Sequence, residues 1–456
     1  MKKVLNILSI FFLIAINVTA QEELTISSAI KKTLENNLDI EVSENFKRIA
    51  KNNSSILNNN YLPNIQLGSE INTNIQSIEI ETPSGISGTL DDTQTDNSSA
   101  VLSIDYNIID ASGRKYNYKK SKELYSKSNL EVQEIIENTI LQLFTVFFEV
   151  GRLSEEKEIL KNSLDISKRR YERRLLEFEY GQTNNLEVLN AEVDVNSDSI
   201  NLLNTSKKLF NARSDLNLIM NVDLESEFNI NTNINFLGQD EINSIFSNDI
   251  NNNTRLLIIE KDIIISNLER KIAKSSYLPT LGLIGSYGWN ESINDNPYAF
   301  YNKSISDGFS AGINIRWDIF RGGKKIIANK NAEIGQENSE LIKKKTVLEL
   351  KKELRNAYQT HLNNLFILEV QRKNLSTNKN NFDRNIERYK IGQVSSIEFR
   401  RAQLNLLNAE LSKSSAKYQA KISEAYFLKI SGEIISKFKQ YLGKKVLKSK
   451  ERFLNH

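Results

Sequence analysis

The feature that most restricts the fold is a repeat. Tyr61-Leu62-Pro63 recurs as Tyr277-Leu278-Pro279, and Gly181-Gln182 recurs 211 residues later as Gly392-Gln393. At that same step Leu186-Glu187 meets Ile397-Glu398, Ala191 meets Ala402, and Tyr106-Asn107-Ile108-Ile109 meets Trp317-Asp318-Ile319-Phe320. One tripeptide recurs by chance, but matches in order over a whole half do not. The chain is a tandem duplication, with a first copy over 21–230, a second over 241–435 and a join near Asn221 to Asp240.

Each copy reads as a helix, a pair of strands, a very long helix, a turn and a returning helix. The four prolines (Pro63, Pro83, Pro279, Pro297) fall in or beside the strand regions, leaving the helical stretches without that breaker. Strands are expected over about 62–76 and 100–110, then about 278–289 and 308–320. In the first, Ile65, Leu67, Ile71 and Ile75 interleave with Asn64, Gln66, Glu70 and Asn72. In the last, Phe309, Ala311, Ile313, Ile315, Trp317 and Ile319 alternate with Ser310, Asn314, Arg316 and Asp318. One apolar and one polar face at period two, about ten residues long, is the pattern of a transmembrane barrel strand. Taken alone it equally describes a soluble amphipathic hairpin. Tyr61, Tyr106, Tyr277, Trp289 and Trp317 near the strand ends suit an interfacial aromatic girdle and favour the membrane reading. The connections, roughly Ser77 to Ser99 and Asn290 to Asp307, are polar and glycine-bearing, and are expected to be long loops outside the cell.

From about Arg114 to Tyr180 and Lys324 to Ile391 the period becomes helical. Ile136, Leu143, Val150, Leu164, Tyr171 and Phe178 stand on steps of seven, interrupted by Lys157. The second copy gives Val347, Leu354, His361, Leu368, Leu375, Phe382 and Tyr389 in the same register. Steps of seven signify helices that supercoil against neighbours, and at ~1.5 Å per residue such helices reach on the order of 100 Å. After each Gly-Gln turn a further run begins, Leu186, Val193 and Ile200 in the first copy and Ile397, Leu404, Leu411 and Tyr418 in the second. Each copy therefore holds a helical hairpin, with its tip at Tyr180 to Glu187 or Ile391 to Glu398.

Composition narrows the function. Only 39% of the 456 residues are apolar, which suits an extended, water-facing architecture better than one thick core. The net charge of +3 is small, and no basic face precedes the last twenty residues, so nucleic acid is not an expected partner. The basic tail of 436–456 reads as a solvated terminus, with a lipid- or acid-binding tail as the alternative. Cysteine is absent and the two histidines are His361 and His456, which argues against thiolate, disulfide and histidine-based metal chemistry. Residues 1–20 read as a signal peptide: Lys2 and Lys3, an apolar Val4 to Ile16, then Val18-Thr19-Ala20. No other stretch reaches the ~18 apolar residues of a spanning helix, and no cysteine follows the cleavage site to take a lipid. The chain is expected to be exported and, if it enters a membrane, to do so as a barrel.

Two copies of Tyr-Leu-Pro before a strand, Trp317-Asp-Ile-Phe-Arg-Gly-Gly323 where a strand meets a helix, and a Gly-Gln tip followed by Ile/Leu-Glu identify a family. The chain resembles the outer-membrane efflux proteins of the TolC type over nearly all of the mature sequence. The first copy departs from the pattern at Tyr106-Asn-Ile-Ile-Asp-Ala-Ser-Gly113, which leaves that strand-to-helix corner the less certain one. The resemblance implies a mixed α and β homotrimer, each chain giving four strands to a shared twelve-stranded transmembrane β-barrel, continued by a long periplasmic α-helical coiled-coil barrel. It implies an exit duct in the outer membrane of a Gram-negative bacterium, serving tripartite efflux or type I secretion. The implied partners are the lipid bilayer, a periplasmic membrane-fusion adaptor and an inner-membrane pump of RND, ABC or MFS type. No cofactor is implied. Cargo and pump class are not readable.

The candidate sites lie at the tips. Gly181 and Gly392 break long helices where the chain turns back, so a helix C-cap is part of their role. The resemblance adds adaptor docking at Tyr180, Gly181, Gln182, Ile391, Gly392 and Gln393. Glu187 and Glu398 each follow the tip glycine by six residues, where related channels carry an acid at the periplasmic entrance; a first-turn carboxylate favoured by the helix dipole is the plainer reading. Tyr389 stands where similar channels use a tyrosine in a latch between helices, and it also lies on the apolar stripe. Val394 replaces the arginine that completes such a latch in some relatives, and Arg401 falls where those relatives carry an acid, so apolar packing is expected instead. His361 reads as a packing residue. A catalytic role is not expected. The competing class is a periplasmic coiled-coil scaffold or adaptor without a pore, which accounts for the steps of seven but not for four alternating strands. A barrel enzyme would need a nucleophile supported by a histidine, and neither histidine is placed for it.

Overall fold

A computed structural model of the chain describes residues 23–438 apart from 82, 232, 298 and 299; the expected leader and the tail from Lys439 lie outside the described residues. In chain order the elements are β1 (Glu23–Leu24), α1 (Ile26–Asn36), α2 (Leu38–Asn53), β2 (Asn64–Glu81), β3 (Ser87–Asp110), α3 (Gly113–Glu179) and α4 (Asn185–Met220). They continue as β4 (Asn229–Ile230), α5 (Gln239–Ser247), α6 (Thr254–Ser275), β5 (Thr280–Asn294), β6 (Lys303–Arg316), α7 (Lys324–Lys390), α8 (Ser396–Ile430) and α9 (Ile434–Phe438). The duplication is visible in the helices: α3 and α7 both have 67 residues, and each starts and ends 211 positions from its counterpart. Among the described residues, no helix is long and apolar enough to cross a membrane.

The chain divides into two compact units. One, of residues 46–128 and 259–342, carries a four-stranded antiparallel sheet in the order β2-β3-β5-β6. Its edge strands β2 and β6 have no further strand beside them among the described residues. The strands run farther than their apolar alternation. Most of the polar stretch expected as a loop at Ser77 to Ser99 is strand, with Ile78 opposite Leu90 and Glu81 opposite Ser87, so the turn shrinks to the segment around Pro83 and Gly85. The second connection likewise shrinks to 295–302. Ladder bonds are backbone bonds, and polar cross-strand pairs suffice to carry them: Thr73 Oγ1 donates to Asp96 at 2.7 Å. At the other end the sheet stops sooner than expected. Trp317 to Phe320 continue the alternation but leave the sheet: the register would set Trp317 opposite Pro279, and proline cannot donate to a ladder. The indole of Trp317 instead donates to the Tyr277 carbonyl at 3.0 Å.

The other unit, built from residues up to Asn45, Asn129–Ile258 and Lys343 onward, is helical. Its core gathers Ile140, Leu143, Phe144 and Phe147 of α3 with Leu216 and Met220 of α4, Ile242, Leu350 and Phe427. The long-helix stripes mostly behave as the steps of seven require: Ile136, Leu143, Val150 and Leu164 are buried, as are Leu354, His361, Leu368, Phe382 and Tyr389, whereas Tyr171, Val347 and Leu375 are half-buried and Phe178, beside the tip, is exposed. The returning helices follow their steps only in part: Tyr418 is buried and Leu411 half-buried, but Leu404 is exposed. Leu186, Val193 and Ile200 are 64%, 64% and 58% exposed, and Ile397 is 71% exposed. The buried register of α4 is Ala191, Asp198, Thr205, Ala212 and Ile219, and that of α8 includes Ala402, Ala409 and Ala416. Small residues let backbones approach closely within the chain, while the large apolar stripe remains on the surface.

Candidate functional site

Each tip is closed by the same device. Gly181 (φ +69°) and Gly392 (φ +77°) take the left-handed conformation that an L side chain resists. Gln182 N–H then donates to Glu177 O at 2.7 Å and Gln393 N–H to Arg388 O at 2.8 Å, the six-to-one bond of a Schellman cap. The next helices start on side-chain caps: Asn184 Oδ1 accepts from Glu187 N–H at 3.1 Å, and Ser395 Oγ accepts from Glu398 N–H at 3.2 Å. The flanking Tyr180 and Ile391 are exposed, as are Gly181, Gln182, Gly392 and Gln393.

The two tip carboxylates differ. Glu398 folds back on its own cap, accepting from Ser395 N–H at 2.8 Å and from its hydroxyl at 3.0 Å. Those bonds, the backbone one foremost, hold its pKa below the ordinary value. Glu187 is half-buried beside its capping asparagine.

Tyr389 is buried and sits in two kinds of contact at once. Its ring stacks on Phe399 at 4.5 Å and 19°, in an apolar cluster with Phe382 and Ala402 to which Val394 adds a flank. Its hydroxyl accepts from Arg174 Nη2 at 2.8 Å and Nε at 3.1 Å, across from α7 to α3. Glu177 in turn holds Arg174 at 2.7 Å. Packing around Tyr389 was expected. A hydrogen bond from the other hairpin was not, because its arginine lies 215 positions away in sequence with no local motif to mark it.

Above the tip the hairpins are tied by buried polar groups. Arg400 donates to both carboxylate oxygens of Asp198 at 2.8 Å and to Ser167 Oγ at 3.0 Å. Ser167 donates to Asp198 at 2.6 Å, and Gln403 donates to Ser167 Oγ at 3.0 Å and Ser163 O at 2.9 Å. Behind them Asp194 lies 3.4 Å from Arg400 Nε, an ion-pair contact without hydrogen-bond geometry, and pairs with Arg170. Burial opposes the charge on Arg400, yet the hydrogen bonds and field of Asp198, with Asp194 behind, hold the guanidinium above its ordinary range. Farther along, Glu155 of α3 binds Lys417 at 2.9 Å and Lys413 at 3.2 Å. Burial pushes that carboxyl up, but the two lysines, Lys417 foremost, outweigh it and leave it below the ordinary value. His361 is fully buried, 3.3 Å from Ser423, and burial lowers its pKa. Among the described residues no group of three or more acidic or histidine side chains converges to hold a metal ion.

The arrangement is two capped hairpin tips with buried polar ties between them. No curated protein matches the chain by sequence. Its fold matches the Campylobacter jejuni CmeC outer membrane channel with a TM-score of 0.76 at 18% identity, over 92% of this chain and 90% of that one. It matches the Vibrio cholerae outer membrane protein VceC at 0.72 and 12% identity, over 89% of this chain and 96% of that one. The open state of the Neisseria gonorrhoeae MtrE outer membrane channel gives 0.65 at 16% identity, over 90% and 89%. The outer membrane efflux protein family matches residues 29–222 and 250–433, the greater part of both copies. The chain belongs to the outer membrane efflux protein family.

Proposed function

We propose that three copies close one twelve-stranded barrel in the outer membrane, and that their hairpins form a hollow helical duct in the periplasm. The duct is a passive exit for solute. An inner-membrane pump of RND, ABC or MFS type drives transport, and a periplasmic membrane-fusion adaptor docks on the tips at Tyr180, Gly181, Gln182, Ile391, Gly392 and Gln393. Glu187 and Glu398 line the periplasmic entrance, and Tyr389, held by Arg174, keeps the two hairpins of a chain together until the adaptor engages.

The observation that carries this reading is the sheet's pair of open edges. Four strands are too few to close a barrel, and lipid tolerates no unpaired strand edge. The exposed stripe of the returning helix supports association as well. Burying the exposed two thirds of five side chains, Leu186, Val193, Ile200, Leu203 and Phe210, is worth about 5–10 kcal/mol before the entropy of association is subtracted.

The test is extraction and conductance. Detergent-extracted protein should have the mass of a trimer and conduct ions across a planar bilayer. A lone protomer without conductance refutes the duct, and solubility without detergent favours the pore-free scaffold.

A further inference from the structure

The two ends of the sheet carry opposite charge. Residues 70–98 and 288–307, at the hairpin end, hold nine acidic side chains and one basic one, Lys303. At the root, where register sets Asp110 opposite Thr280 and Thr280 opposite Arg316, the balance reverses. Residues 110–122 and 316–330 each hold five basic side chains and one acidic one.

Some of these cations serve the fold. Arg114 donates to the carbonyls of Asn60, Asn107 and Ile108 and stacks on Tyr61, and Lys325 donates to the Asp318 carbonyl. The others do not. Lys324 and Lys330 make no ion pair among the described residues, and Arg321 has only a long 3.9 Å contact with Asp318. Away from the root, Lys127 and Lys261 both have carboxylate partners. The unpaired cations share their corner with exposed apolar groups: Ile319 and Phe320 are 77% and 79% exposed, and Ile327 follows one turn into α7. Apolar side chains beside unpaired cations at the end of a lipid-facing strand form the pattern of a segment seated among lipid headgroups.

We propose that the corner of residues 317–330 binds the headgroups of anionic phospholipids, with Arg321, Lys324 and Lys330 meeting phosphate and Ile319, Phe320 and Ile327 entering the acyl boundary. The acidic end of the sheet then faces away from that leaflet. This rests on the reading of the sheet as part of a membrane barrel, and the test separates the two. Detergent-extracted protein is mixed with phosphatidylglycerol or phosphatidylcholine of equal chain length, and retained lipid is read by native mass spectrometry. Conductance is measured on the same samples. The wild type should retain phosphatidylglycerol in preference. R321Q/K324Q/K330Q should lose at least tenfold of that preference and still conduct, while the control K352Q/K373Q/K379Q, with the same loss of exposed charge elsewhere on α7, should keep it. No preference in the wild type, retention by the corner variant, an equal fall in the control, or a change in oligomeric state without lipid loss overturns the proposal. Absent conductance in the wild type instead counts against the duct.

Discussion

Arg400 is the most exposed to refutation of the groups that join the hairpins. In Arg400→Met the apolar stem is kept and three hydrogen bonds are lost, two to Asp198 and one to Ser167. Asp198, only 3% exposed, then keeps the Ser167 hydroxyl as its one hydrogen-bond donor. Removing one partner of a buried pair costs about 3–5 kcal/mol, because a charge is left buried and uncompensated. The Arg400 side chain is itself 11% exposed, so water can reach its vacated place and the lower end applies, about 3 kcal/mol. By the rule of tenfold per 1.4 kcal/mol, opening of the first turns of α8 should become roughly a hundredfold more frequent, read by amide hydrogen exchange. D198L/R400M removes both charges and should return to within about 1 kcal/mol of wild type, since replacing a whole buried pair by apolar groups is close to neutral. Arg401→Met, at the exposed neighbouring position, should change stability by less than about 0.5 kcal/mol. A cost below about 1 kcal/mol for the Arg400 variant, or a double variant whose loss equals the sum of the singles, refutes the buried-pair account.

Tyr389→Phe keeps the stack on Phe399 but removes the acceptor for Arg174, a bond to a charged group worth about 1.5–3 kcal/mol. Open probability in planar bilayers should rise about tenfold to a hundredfold, and an unchanged record removes Tyr389 from the gate. Because the folded pKa of Glu155 is depressed, its ties to Lys413 and Lys417 contribute stability above the ordinary value of 4.5 and lose it as pH falls through the lower folded value. The stability gap between wild type and Glu155→Gln should therefore be full at neutral pH and shrink in acid; a gap that stays constant down to pH 2 contradicts the tie. Reversing charge in E187K/E398K should weaken block of single-channel current by multivalent cations, and unaltered block places both carboxylates away from the entrance.

Much of the architecture was readable because duplication supplies two independent samples of each signal. The long helices, their ends and the tips follow from glycines and steps of seven that coincide at one offset. The returning helix of the first copy departs from its expected stripe for a definite reason. Large apolar residues at Leu186, Val193 and Ile200 give the stronger periodic signal, yet the face used inside the chain is marked by alanine, which periodicity in hydrophobicity underweights. Strand ends were misplaced in both directions, since polar residues pair along a ladder as readily as apolar ones and Pro279 stops a neighbour it does not adjoin in sequence. The ties were invisible for another reason. Arg174 meets Tyr389 across 215 positions and Arg400 meets Asp198 across 202, and neither pair carries a local motif. Adjacent arginines at 173–174 and 400–401 were the available hint, but Arg401 is exposed and Arg173 and Arg174 both also pair locally with Glu177, so the pairs alone do not mark the ties.

The equal hairpins have unlike insides. At the step of 211, Arg400 corresponds to Leu189, Asp198 to Ala409, Arg170 to Asn381 and Arg174 to Asn385. Two first-copy hairpins set face to face would confront Asp198 with leucine, and two second-copy hairpins would strand Arg400 against alanine. The two members of the buried pair are divided between the copies, so either half alone would carry a buried charge without its counter-charge.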